Sequence, residues 1–190
     1  MAHGAERALA ANKKAEPHTK NRLLALEVRP QKFGFVVFEG PTRLLDWGVC
    51  GCGGSGRDLG RTAGNKIGSL LDLYMPAAVV MRRRRVLTSK AERKLEIVVG
   101  TIRAEAKRRS VNVQFLNTQA VRRFFAPYGS TTKHAIASVL AEWFEDLRWK
   151  LPRERNPWES EARTMAIFDA VATGMALFAG TKNSKDRVSS

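Results

Sequence analysis

Cysteine and histidine are scarce in this chain, with two Cys and three His in 190 residues. A structural zinc site needs four such ligands, and Cys50-Gly51-Cys52 has no second pair elsewhere, while His3, His18 and His134 are scattered. The two thiols are therefore expected as an ordinary reduced pair in a flexible loop. Long apolar runs are also lacking. Each is interrupted well before the roughly 20 residues that cross a bilayer, so no transmembrane helix and no membrane partner are expected. Met1 to Lys20 has no apolar core of a signal peptide, and the cytoplasm is the expected location. The Gly-rich stretch from Gly51 to Gly60 lacks the Gly-Lys-Ser/Thr of a phosphate-binding P-loop. Its glycines are not expected to form a dinucleotide fingerprint between a strand and a helix, and loop flexibility explains them.

Acids are few as well: 18 Asp and Glu stand against 33 Lys and Arg, a formal charge of +15 with a pI near 10.6. A chain this basic usually meets a polyanion, most often nucleic acid. Hydrophobic residues make up 44% and charged residues 27%, which describes a globular protein with a sizeable core in one domain.

Three short apolar runs lie between Arg22 and Val49, separated by Arg29-Pro30-Gln31-Lys32 and Gly40-Pro41. Those separators are turn signals, and the pattern predicts a three-stranded antiparallel meander. The first run is almost wholly apolar, as in a central strand buried on both faces, yet Glu27 sits near its carboxyl end. A buried charge there needs a cation.

Before the meander, residues 1–21 read as a disordered basic tail. After it, spacing predicts a helix over 59–74, a strand over 77–81, a helix from Ser89 to about Arg109, and a fifth strand over 111–116. Helices follow over 118–125, over 132–147, and from near Glu159 to Phe178. Residues 181–190 are polar and expected to be a disordered tail, which leaves 22–180 as the domain. Strands joined by helices make this an α/β layout, a mixed five-stranded sheet with helices on both faces.

The order of elements resembles the RNase H-like fold, and in detail the RuvC-like Holliday-junction resolvases. The matching pieces are Leu24-Ala25-Leu26-Glu27 with Gly34 after it, Pro76 to Arg82, Gly129 to Val139 with its Lys133, and Phe168-Asp169-Ala170. Such resolvases place carboxylates at the ends of the first and fourth strands and in the last helix, where they hold divalent metal. Carried over, Glu27 stands at the first-strand position and Asp169 at one last-helix position. Arg82 replaces the fourth-strand acid, and Ala166 replaces the other helix acid. The resemblance also implies a homodimer.

The residues themselves favour an ion pair over a metal. Asp169 is the single charged residue between Thr164 and Gly180, in a stretch so apolar that the helix must be buried. Both it and Glu27 need a cation, and Arg82 is placed to serve both. Glu159 and Glu161 are expected to complement a helix dipole in a first turn. No cofactor is expected on this reading; magnesium or manganese at Glu27 and Asp169 would accompany an active enzyme.

Binding is expected along the basic segment Arg82 to Arg109, which holds 11 Lys or Arg against 3 Glu, a surplus that suits phosphates. Its candidate contacts are Arg83, Arg84, Arg85, Lys90, Arg93, Lys94, Lys107 and Arg108, with Lys133 extending the patch beside Arg122 and Arg123. Phe124, Phe125 and Tyr128 are candidates for stacking on bases, with Phe124 or Phe125 expected in the core. Three functions follow, in order: a non-catalytic nucleic-acid-binding relative of the resolvases, with DNA favoured over RNA; an active metal-dependent junction endonuclease; and a basic scaffold for an acidic partner.

Overall fold

A mixed five-stranded sheet organises the computed structural model, which describes residues 21–54, 56–83, 89–130, 132–156 and 158–186. Of the tail expected over 1–21 only Asn21 lies among them, and Arg84 and Arg85 lie outside them. The meander consists of β1 (Arg22–Arg29), β2 (Lys32–Glu39) and β3 (Leu44–Gly51). Helix α1 (Arg57–Tyr74) leads to β4 (Ala78–Arg82), and α2 (Ser89–Arg108) leads to β5 (Asn112–Leu116). The order across the sheet is β3-β2-β1-β4-β5. β1 runs antiparallel to β2 and parallel to β4, which is itself parallel to β5.

Alternation along the strands sorts the core into two layers. On one face Leu24, Leu26, Val28, Phe33 and Val37 pack against α1 and α2. On the other, Leu23, Ala25, Val36, Phe38 and Val80 meet α3 (Thr118–Phe125), α4 (Lys133–Trp143) and α5 (Met165–Asp186). Asn117 caps α3 and Thr132 caps α4, each side chain accepting from the backbone N–H three residues on; this satisfies an otherwise orphaned donor.

Four expectations need correction. First, α4 stops at Trp143 and a 3-10 turn follows over Glu145–Lys150, because the chain there opens into the Pro-containing segment that crosses to α5. Second, α5 begins at Met165, not near Glu159, and continues past Gly180 to Asp186. Tertiary ion pairs hold the polar residues 159–163 out of helix, and adding residues to a formed helix costs little at its far end. Third, the cysteines are not in a flexible loop. Cys50 is the penultimate residue of β3, and Cys52 is fully buried in the layer under α1. Burial pushes both thiols above their usual pKa, which suits inert rather than reactive cysteines. Fourth, Gly51 to Gly56 does carry the Gly-x-Gly-x-x-Gly spacing between a strand and a helix. However, β3 is the outer antiparallel strand, whereas the dinucleotide fingerprint requires a parallel strand–helix–strand unit.

Candidate functional site

The alternation that builds the core also builds the site. Along β1, Leu23, Ala25, Glu27 and Arg29 share one face by period two, the face covered by α5. On β4, Arg82 follows Val80 on that same face. β1 and β4 pair in parallel up to Leu26 and Met81, so Glu27 and Arg82 are the next residues out at one carboxyl-terminal rim. Asp169 enters from the second turn of α5. Its approach depends on Gly34 of β2, the register partner of Glu27. A Cβ at Gly34 would lie 2.3 Å from the backbone oxygen of Ala166, so the helix rests directly on the strand there.

Three carboxylates and three cations meet at this rim. Arg82 Nη2 donates to Glu27 Oε1 at 3.0 Å and lies 3.3 Å from Asp169 Oδ1. Arg29 reaches Asp169 Oδ2 at 3.1 Å and Glu161 Oε2 at 2.8 Å, with its Nε 4.0 Å from Glu27 Oε1. Lys133 Nζ donates to Glu161 Oε1 at 2.6 Å and Asp169 Oδ2 at 3.1 Å. Glu27 is fully buried and Asp169 is 6% exposed, whereas the Lys133 side chain is 42% exposed. Burial works against the charge on Arg82, but the Glu27 and Asp169 carboxylates outweigh it and raise its pKa.

The sequence reading anticipated Glu27, Arg82 and Asp169 as one cluster and missed half of it. Arg82 is not the sole partner of the two acids, since Arg29 and Lys133 share them. Lys133, expected on a phosphate-binding patch, is committed to Glu161 and Asp169. Glu161 is not in a helical turn at all. Eight residues of continuous helix would set Glu161 about 12 Å from Asp169 along the axis, but the segment before α5 is not helical and brings Glu161 to the rim. Glu159 instead pairs with Arg153 and accepts from the backbone N–H of Asn156. A signal for Arg29 was available: it stands two residues beyond Glu27 on the same strand face.

Burial tends to raise the pKa of Glu161, yet the Lys133 hydrogen bond and the Arg29 charge outweigh it and leave it below the usual glutamate value. A depressed folded-state pKa contributes stability that is fully present above the unfolded value of about 4.3. That contribution is lost as pH falls through the lower folded value. Stability measured by denaturant melts from pH 6 downward should therefore fall less steeply in Glu161→Gln than in wild type. Parallel acid limbs would mean that Glu161 does not contribute in this way.

No family model and no curated protein sequence matches the chain. Solved structures do. Thermus thermophilus RuvC in complex with a Holliday junction substrate superposes with a TM-score of 0.66 at 15% identity, covering 85% of this chain and 95% of that one. The fold is RuvC-like. A second T. thermophilus RuvC structure matches at 0.66 and 16% identity over 85% of this chain and 96% of that chain. The yeast mitochondrial Holliday junction resolvase Ydc2 matches at 0.55 and 12% identity, over 87% and 83%. The expected RNase H-like architecture thus holds across the described domain.

The RuvC-like fold implies a divalent metal at this rim, and the residues present do not fit one. Magnesium needs oxygen ligands at about 2.0–2.1 Å in near-octahedral array. Here Asp169 is bonded to three cationic side chains and Glu27 Oε1 to Arg82. Among the described residues no group of three or more His, Cys, Asp or Glu is arranged to hold a metal ion. Ala166, at the other helix acid position, is fully buried against Gly34, where a carboxylate would have no room.

The basic segment divides into committed and open cations. Arg108 pairs with Glu105, and Arg109 pairs with both Asp72 of α1 and Glu105, so this end of α2 is tied to α1. Lys90, Arg93 and Lys107 are exposed and Lys94 is half-buried. Arg83 stands over the Phe115 ring, 6.0 Å from its centroid. Together with Arg103 and Lys107 it lines a groove of about 950 Å³ between α2 and the outer strand β5. Phe125 is fully buried as expected, while Tyr128 is 51% exposed.

Proposed function

We propose that this RuvC-like chain binds nucleic acid, DNA in preference to RNA, through the basic side of α2 and β5, and does not cleave it. The observation that carries the second half is the guanidinium of Arg82 between Glu27 and Asp169, with Arg29 and Lys133 completing a cluster of equal positive and negative charge. A dication entering there would face three fixed cations at hydrogen-bond range of the oxygens it needs. The first half rests on the +15 charge and the open groove of Arg83, Arg103 and Lys107. The junction complex of T. thermophilus RuvC supports a branched DNA ligand. A homodimer and a cytoplasmic location belong to the same reading.

One observation favours the active-nuclease alternative. Glu161 brings a third carboxylate to the rim, and Lys133, the exposed cation, is the easiest of the three to displace. Binding and cleavage of labelled four-way junction, duplex and structured RNA, with and without manganese, separates the readings. Binding with intact product in every metal condition is expected. Manganese-dependent nicking would overturn the non-catalytic reading. The companion variant Arg83→Glu/Arg103→Glu/Lys107→Glu should weaken junction binding and flatten its salt dependence, since each lost phosphate contact reduces the salt slope by about 0.9. A folded triple variant with wild-type affinity and slope would remove α2 from the interface.

A further inference from the structure

Three aromatic side chains on the α3–α4 face stay at the surface after the sheet is covered. Phe124 is half-buried, Trp143 is 38% exposed and Tyr128 is 51% exposed. We infer that Tyr128 and Trp143 form a platform on which an unpaired nucleobase stacks, so that the chain favours nucleic acid with unpaired bases over continuous duplex. This rests on the nucleic-acid reading and names the class of ligand within it.

The platform is anchored in the core. Phe125, at the end of α3, is fully buried, and the Trp143 ring at the end of α4 stacks on it with centroids 5.9 Å and planes 23° apart. Tyr128 meets Trp143 in a T-shaped contact at 4.9 Å and 78°. Its contacts with Phe124 and Phe125 are tilted, at 56° and 57°. Among the described residues no ring lies parallel to Tyr128, so its stacking position is open. Offset stacking is a favoured arrangement for an aromatic ring, and every base has a π face to offer. The backbone beneath the ring is fixed. Tyr128 ends a 3-10 turn over Ala126–Tyr128, and Gly129 closes it at φ 68° with its N–H donating to the Ala126 carbonyl. A ring with two side-chain torsions on such a turn loses little conformational freedom when a ligand arrives.

Charge decides the occupant. Arg122 and Arg123 are exposed, and neither side chain forms an ion pair or hydrogen bond among the described residues. With Ala126 and Ser130, which lie two residues to either side of Tyr128, they line an open groove of about 420 Å³. Guanidinium groups beside an aromatic platform suit a nucleotide, whose phosphate meets the cations while its base meets the rings. An apolar protein partner would instead desolvate two cations without supplying an anion. Glu142, exposed next to Trp143, repels phosphate at that end, which places the strand's backbone on the arginine side. The Trp143 indole N–H and the Tyr128 hydroxyl make no hydrogen bond among the described residues, and both can donate to acceptors on a base edge. Trp143 lies ten residues along α4 from Lys133, about 15 Å of helix, so the platform is separate from the ion cluster.

The exposed ring of Tyr128 can be removed without opening the core, so Tyr128→Ala should melt close to wild type. The full chain is titrated with a single-stranded DNA oligonucleotide and with an abasic strand of the same length. The two carry the same phosphates, so the electrostatic contribution cancels in the ratio of their affinities. Wild type should bind the base-bearing strand about tenfold more tightly. Tyr128→Ala should lose that preference while keeping its affinity for the abasic strand, and Tyr128→Phe should retain it. Equal wild-type affinity for the two strands, or an undiminished preference in Tyr128→Ala, overturns the platform and leaves the nucleic-acid reading standing. Wild type that binds neither strand nor a four-way junction overturns both. Self-association abolished by Tyr128→Ala, with no preference between strands, assigns the face to a second copy of the chain and overturns the platform.

Discussion

Arg82→Ala should unfold more readily than wild type by about 3–5 kcal/mol, the typical cost of leaving buried acids without their cation. Glu27 is fully buried and Asp169 nearly so, so neither can recover hydration when the guanidinium leaves. Arg29 moderates the loss for Asp169 but lies 4.0 Å from Glu27, too far for a full hydrogen bond. Lys133→Ala removes a cation from the same cluster, but at a site 42% exposed, where ion pairs contribute only about 0–1 kcal/mol. The contrast between the two substitutions tests burial as the deciding quantity. Arg82→Glu should be worse than Arg82→Ala in plain buffer, because a further carboxylate then joins the buried acids. It also restores an acid at the fourth-strand position, so manganese should recover stability by mass action. Melting curves of wild type, Arg82→Ala and Arg82→Glu across a manganese titration measure all of this. Wild type stabilised by manganese as strongly as Arg82→Glu would sink the ion-cluster reading and favour the nuclease.

The second large effect is expected at Gly34. A methyl group there would sit 2.3 Å from the Ala166 carbonyl oxygen and 2.5 Å from its carbon. Those atoms belong to the helix backbone, so no side-chain rotation relieves the clash and α5 must lift. Overpacking of this kind costs about 1–3 kcal/mol and occasionally more, and Gly34→Ala should fall at the upper end. Lifting α5 also carries Asp169 away from Arg82, so binding that depends on the rim should weaken along with stability. Gly100 provides the opposite sign. It lies inside α2, an added Cβ there meets nothing within 4 Å, and Gly100→Ala should stabilise by about 0.8–1 kcal/mol. Equal melting of wild type and Gly34→Ala would show that the helix does not rest on the strand as described.

Much of this architecture is legible in local pattern. Turn residues and apolar runs mark the meander, and the almost wholly apolar first run marks the central strand because a strand covered on both faces has no side for water. The apolar stretch around Asp169 likewise places that acid in the core. Glu27 and Arg82 could be matched by position, since both end buried strands. These are properties of short segments, set by periodicity and by the cost of burying charge.

What only the tertiary structure decided is the composition of the ion cluster. Arg29 reads as part of a turn, Lys133 as part of a basic patch and Glu161 as the first turn of a helix. Each reading follows from local propensity, and each is overridden by partners 28 to 140 residues away in the chain. Residues 159–163 could continue a helix, but pairing of Glu161 with Arg29 and Lys133 fixes them as a loop that reaches the rim. A short-range signal cannot contain this, because the free energy that selects the loop comes from charges brought together only when α4, α5 and β1 pack.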